Sequence, residues 1–288
     1  MIRLFAATTE ADEFAEYEQI APRLRGAVLV DYATAFHEAD SFDAAAVHHA
    51  ATSFDELASL AADRIPVLLI DPHAMPPEEV DRLKQHFDES ETLLRVVWSL
   101  RFQPSTQALK HSVDSGQLGK PGLVRIHRWQ PQPGSDWTAV ASAAAEIDLA
   151  SWLIGASVEV VYATGPADGT DYVQIHLGFS NGGMALIDVS HTLPPGGDYS
   201  SVSIIGADGS AYADDHHNQQ LVLGGGAPVA RRTGQANLHQ LAMLQGFIDA
   251  IRTGETDVAT ESLGVCSSVS AAVQASLKSR ESVTLQPK

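Results

Sequence analysis

Four side chains able to move a proton or hold a cation fall close together early in the chain: His48, His49, Asp71 and His73. Residues 67–70, Val-Leu-Leu-Ile, are all apolar and are bounded by Pro66 and by Asp71-Pro72, the pattern of a strand buried on both faces in a parallel sheet. Ligands of open α/β sheets sit outside the carboxyl ends of the strands, so all four groups fall where chemistry is expected. Asp71 and His73 are the candidates for proton transfer. Two histidines and a carboxylate also make a minimal set of metal ligands. Against a metal, His48 and His49 point to opposite faces if their strand continues through them, and no spacing matches a recognised metal pattern. No metal site is expected.

The elements that position these groups follow from periodicity. Residues 2–6 read as a first strand and 11–24 as a helix, with Phe14, Tyr17, Ile20 and Leu24 at helical spacing. Strands are expected at 27–30, 44–47, 67–70 and 93–98, and a helix at 54–62. Another helix starts at Pro76-Pro77-Glu78-Glu79, where proline suits the first turn and acids suit the positive end of the dipole. Strands alternating with helices predict a Rossmann-like, doubly wound parallel sheet over residues 1–102. Beyond it, Val173, Ile175, Leu177 and Phe179 alternate with Tyr172, Gln174 and His176, a strand with one dry side. Strand signals continue at 184–189, 201–205 and 210–213, with turns at Asn181-Gly182-Gly183 and Gly206-Ala207-Asp208-Gly209. A helix over 238–251 stops at Gly254, another covers 262–277, and 282–285 reads as an edge strand. Residues 103–288 are thus expected to form an α+β domain, an open-faced antiparallel sheet with helices on one side. Asp214-Asp215-His216-His217 reads as a polar hairpin end, and Gly224-Gly225-Gly226 as a flexible loop rather than a phosphate cradle.

Composition removes several function classes. The formal net charge of -18 repels nucleic acid and anionic membrane, and the only basic cluster, Arg125 and Arg128 with Lys120, is thin. No run of eighteen apolar residues occurs, and the first residues turn polar at Thr8-Thr9-Glu10 too soon for a signal peptide, so a cytoplasmic location is expected. Cys266 is the single cysteine and reads as a small buried residue. No Gly-x-Ser-x-Gly elbow supports a hydrolase triad.

The order of segments resembles the glucose-fructose oxidoreductase and inositol dehydrogenase (Gfo/Idh/MocA) family over nearly the whole chain. The resemblance is carried by Arg101-Phe102-Gln103-Pro104, Ser115-Gly116-Gln117-Leu118-Gly119-Lys120 and Ile147-Asp148-Leu149-Ala150-Ser151-Trp152-Leu153-Ile154-Gly155. Ile204-Ile205-Gly206-Ala207-Asp208-Gly209-Ser210, Phe247-Ile248-Asp249-Ala250-Ile251-Arg252-Thr253-Gly254 and the closing Ser282-Val283-Thr284-Leu285 extend it. It implies a Rossmann domain, then an open-faced sheet, with NAD or NADP as cofactor and a sugar or polyol as substrate. It supports Asp31, at the end of the second strand, as a contact for the ribose. His49 is the other cofactor-side candidate, and Arg101 and Glu146 join Asp71 and His73 as cleft candidates.

The chain departs from the family pattern where the chemistry would be done. The first crossover, Phe5-Ala6-Ala7-Thr8-Thr9-Glu10-Ala11-Asp12-Glu13, holds no glycine and puts three carboxylates where a diphosphate would lie. The stretch between Asp31 and Asp43 is too short for the usual strand, helix and linker. The resemblance places a Glu-Lys-Pro at the end of the fourth strand, where this chain has Ile70-Asp71-Pro72, and an acid and a histidine at Ala141 and Ala145. A methyl group cannot move a proton, and Glu146, the next position on the helix, points about 100 degrees away. The expectation is a retired enzyme, a pseudoenzyme without cofactor that binds a small molecule or a protein. It would assemble as a homodimer or higher homo-oligomer through the bare face of the second-domain sheet, or accompany an active paralogue. The alternatives are an active NAD(P)-dependent oxidoreductase with a rearranged pocket and a metal-dependent lyase or isomerase using His48, His49, Asp71 and His73.

Overall fold

The structure, a computed structural model, describes residues 1–7, 11–33, 42–48, 52–72, 75–131, 138–194, 197–214, 219–224, 229–232 and 238–286. The chain divides into two compact units, Met1–Phe102 with Ala236–Ser267, and Gln103–Gln235 with Ser268–Lys288.

In the first unit β1 (Ile2–Ala7) leads into α1 (Ala11–Ile20). The helix stops four residues short of the expected Leu24: Pro22 has no N–H to donate, and a three-residue 3-10 turn, Ala21–Arg23, replaces the last turn. Then come β2 (Ala27–Ala33), β3 (Ala44–His48), α2 (Phe54–Ala62), β4 (Val67–Ile70), α3 (Pro77–Glu89), β5 (Leu94–Val97) and the short α4 (Ser99–Phe102). Ser53 and Glu56 cap α2 reciprocally, each side chain bonding the other's backbone N–H. The strands pair in parallel, and the sheet order places β1 between β2 and β3, so the winding reverses at β1. All four residues of β4 are buried, as an all-apolar strand covered on both faces requires. Among the described residues no strand flanks β2 on its outer side.

The second unit opens with α5 (Pro104–Asp114) and β6 (Pro121–Trp129), followed by α6 (Ala139–Ser142), α7 (Ala144–Ile154), β7 (Val158–Thr164) and β8 (Tyr172–Phe179). It continues through β9 (Met184–Ser190), β10 (Tyr199–Gly206), β11 (Gly209–Asp214), β12 (Gln219–Gly224) and β13 (Val229–Arg232). The sheet is mixed rather than antiparallel throughout: β6 pairs with β9 in parallel, and the other neighbours are antiparallel. A parallel pair needs a long crossover, which the helices and strands between Trp129 and Met184 supply. The alternation read in β8 holds, with Val173, Ile175, Leu177 and Phe179 buried beneath α6 and its neighbours.

The chain then returns. α8 (Leu238–Thr253) ends at Gly254, whose φ of 76° is the left-handed turn that glycine takes without strain. The two-residue β14 (Val258–Ala259) pairs in parallel with β5. The expected second domain of 103–288 is therefore interrupted, because Met243, Leu244, Phe247 and Ile248 pack with Leu4, Ala46 and Leu68 in the core of the first unit. α9 (Glu261–Ser279) holds the boundary between Ser267 and Ser268, with Cys266 fully buried, and β15 (Val283–Thr284) forms the sheet edge beside β7.

Candidate functional site

At the carboxyl end of β4, Asp71 adopts a φ of 44°, a left-handed turn that aspartate enters more readily than most residues. Its Oδ1 accepts the N–H of Ser99 at 2.7 Å, and its own N–H donates to the Val97 carbonyl at 2.9 Å. One carboxylate oxygen is thus committed to binding β4 to the junction of β5 and α4. His48 ends β3 with its Nε2 3.0 Å from the hydroxyl of Tyr17, a buried residue of α1. Arg101 is half-buried in α4. Asp31 lies in β2 opposite Phe5, and nothing further is described of its side chain. His49 and His73 lie outside the described residues, as do Asp215, His216 and His217. Among the described residues no group of three or more His, Cys, Asp or Glu side chains is placed to hold a metal ion.

A dinucleotide would have to lie on the first crossover, where glycines let the backbone approach the diphosphate. The first glycine of this chain is Gly26, beyond the helix, and Asp12 and Glu13 fall in the first turn of α1. Thr8, Thr9 and Glu10 of that crossover lie outside the described residues, and at the end of β4 the Asp71 carboxylate accepts the Ser99 N–H at 2.7 Å.

The second unit holds a connected set of buried polar groups. Glu146, in the first turn of α7, is 1% exposed, and its Oε1 accepts from Arg128 Nη1 of β6 at 2.9 Å. Arg128 Nε donates to Gln130 Oε1 at 3.0 Å. Gln130 Nε2 lies 3.3 Å from His191 Nε2, and the Ser142 hydroxyl lies 2.9 Å from the same nitrogen. His191 is only 4% exposed, and its backbone N–H donates to the Asp171 carbonyl at 2.7 Å. Two atoms of this set have no partner among the described residues: Glu146 Oε2 and His191 Nδ1. Buried polar atoms are seldom left so.

Of the described candidates, Glu146 alone belongs to this set. Arg128 appeared in the sequence as part of a thin basic cluster; it pairs with Glu146, while Arg125 is exposed on the opposite face of β6 and Lys120 donates to the Asn181 carbonyl. His191, Ser142 and Gln130 were missed. The available signal was phase: Arg128 follows the inward Val124 and Ile126, and His191 follows the inward Ala185, Ile187 and Val189.

Burial, and then the Arg128 charge, hold the His191 imidazole below its ordinary pKa, with Asp171 opposing. The folded state therefore prefers neutral His191, and its contribution to stability is complete above the unfolded value of about 6.5. It is lost as pH falls from there through the folded value, because the unfolded chain binds the proton first. Urea midpoints measured across this acid window are expected to fall more steeply for the native protein than for His191→Asn.

The model of the GFO/IDH/MocA C-terminal domain matches residues 106–212. The chain is similar to the myo-inositol 2-dehydrogenase of Thermotoga maritima, 27% identical over 161 residues that cover 50% of this chain and 48% of the relative. It is also similar to an uncharacterized oxidoreductase of Bacillus subtilis, 32% identical over 138 residues, 42% of this chain and 40% of that one. The chain thus spans about half the length of these curated relatives. The solved structure of an oxidoreductase from Agrobacterium radiobacter, in complex with NAD+, L-tartaric acid and magnesium, aligns over 98% of both chains with a TM-score of 0.79 at 18% identity. That likeness establishes the fold alone.

Proposed function

Because the chain belongs to the Gfo/Idh/MocA family, we propose that it keeps the dehydrogenase architecture without the nicotinamide redox step and serves as a small-molecule-binding subunit. The observation that carries this reading is the sequence of the first crossover, Phe5 to Glu13, which has no glycine to let a backbone approach a diphosphate and includes three acids, Glu10, Asp12 and Glu13. The second unit supports ligand binding, since its buried set leaves Glu146 Oε2 and His191 Nδ1 unfilled. The name of the Thermotoga maritima relative makes myo-inositol the first compound to try. Calorimetry with myo-inositol should give saturable binding, while NAD+ or NADP+ added with it should give no reduced nicotinamide. Sustained turnover would overturn the proposal. It would favour the second reading, an NAD(P)-dependent oxidoreductase with a rearranged site, for which the one supporting observation is the buried, proton-capable His191.

The partner in this reading is a second copy, joined through the outer face of the second-unit sheet, with an active paralogue as the other outcome. Strand register lines up Val160, Gly178, Met184, Leu123 and Ile205 in one apolar row across five strands. Val160, Met184 and Ile205 are 39%, 51% and 38% exposed, and Tyr162 and Tyr212 stand in the next row. Such a patch is a common interface signature. Light scattering should give at least a dimer for the native chain and a monomer for Val160→Asp/Met184→Asp; a monomeric native protein would refute the self-association.

A further inference from the structure

The orientation of the Gln130 amide fixes which nitrogen of His191 carries the proton. Arg128 Nε can only donate, so the Gln130 atom 3.0 Å away must be the carbonyl oxygen, and the amide nitrogen faces His191. An amide N–H and a ring N–H cannot point at each other. His191 Nε2 is therefore the acceptor, and the Ser142 hydroxyl, 2.9 Å from it and 3.2 Å from the Ala139 carbonyl, gives its single proton to the nearer ring nitrogen. In the neutral ring the proton then sits on Nδ1, the buried atom that has no partner among the described residues.

We propose that Gln130 is a positioning residue that holds His191 in the Nδ1–H form, so that Nδ1 donates a hydrogen bond to an oxygen of a neutral hydroxylated ligand while Glu146 Oε2 accepts from one. The charges select the ligand class. Glu146 and Arg128 already neutralise each other at 2.9 Å. An added anion would face the free carboxylate oxygen, and an added cation would face the Nδ1–H and the guanidinium. A hydroxyl both donates and accepts and brings no charge, so it answers both unfilled atoms.

The proposal rests on the reading of the second unit as the ligand-holding part, but its test needs no nucleotide, so its failure and that of the lost redox step are separable. Long-range nitrogen–proton spectra of protein labelled with 15N-histidine report the tautomer directly. At neutral pH His191 is expected in the Nδ1–H form, and its Nδ1 signal is expected to move on titration with myo-inositol or glucose. Gln130→Glu places an acceptor beside Nε2, so it should draw the proton to Nε2 and raise the apparent Kd for the responding compound at least about tenfold, the loss of about one hydrogen bond. An Nε2–H or doubly protonated ring in the native protein overturns the assignment. A correct tautomer whose Nδ1 signal ignores both compounds at saturating concentration overturns the ligand role. Neither outcome depends on the variant folding, because both are read on the native chain.

Discussion

Replacing Arg128 by alanine is expected to cost about 3 kcal/mol of unfolding free energy, the lower end of the range for breaking a buried ion pair. The size follows from what is left behind. Glu146 is 1% exposed and already has one oxygen without a partner among the described residues, so without the guanidinium its carboxylate stays buried with its bonded counter-charge gone. Arg128 is 34% exposed along its side chain, which is why the lower end applies. The paired replacement Arg128→Met/Glu146→Leu removes the charge along with its partner and should recover most of the loss. Urea unfolding of the two variants beside the native protein checks this. Equal losses in both would mean that packing, not the stranded charge, sets the cost.

The second large effect is Phe247→Ala, expected to cost about 3–5 kcal/mol, as large core truncations do. Phe247 is 1% exposed and sits with Leu4, Ala46, Leu68 and Ile248 in the core of the first unit, although nearly 150 residues separate it from Met1–Phe102. The placement makes the prediction specific. Native-state hydrogen exchange should speed up at the amides of β1, β3 and β4, while β8 and β9 keep their protection. Protection lost in β8 and β9 instead would return α8 to the second unit.

Much of the architecture could be read from residue order because short-range patterns dictate it. The apolar run Val67–Ile70 could only be a covered strand, the alternation from Tyr172 to Phe179 a strand with one dry side, and Gly254 a helix end. The return of α8 to the first sheet was not legible, since a helical apolar stripe says that a core exists and not which one. β14 is two residues long and carries no period at all. The parallel pairing of β6 with β9 is equally silent in local sequence, because register and direction are settled by partners far along the chain.

The site was less legible than the fold. Sequence position put Asp71 at a strand end, where it does lie, but could not show that its carboxylate binds the Ser99 N–H. Glu146 was named for standing next to Ala145, yet its significance comes from Arg128, eighteen residues away on another element. His191 lies one residue past the end of β9, so neither a motif nor a strand marked it; only its inward phase did. Ring tautomers and amide orientations depend on which atoms meet in space, and the sequence carries that only through the finished fold.

The proposal that the first unit does not accept a dinucleotide is tested most directly by titrating the purified protein with NADH and with NADPH while following nicotinamide fluorescence. The account predicts no saturation below about 1 mM, which corresponds to less than about 4 kcal/mol of binding free energy. Saturable binding of either one in the micromolar range would contradict it.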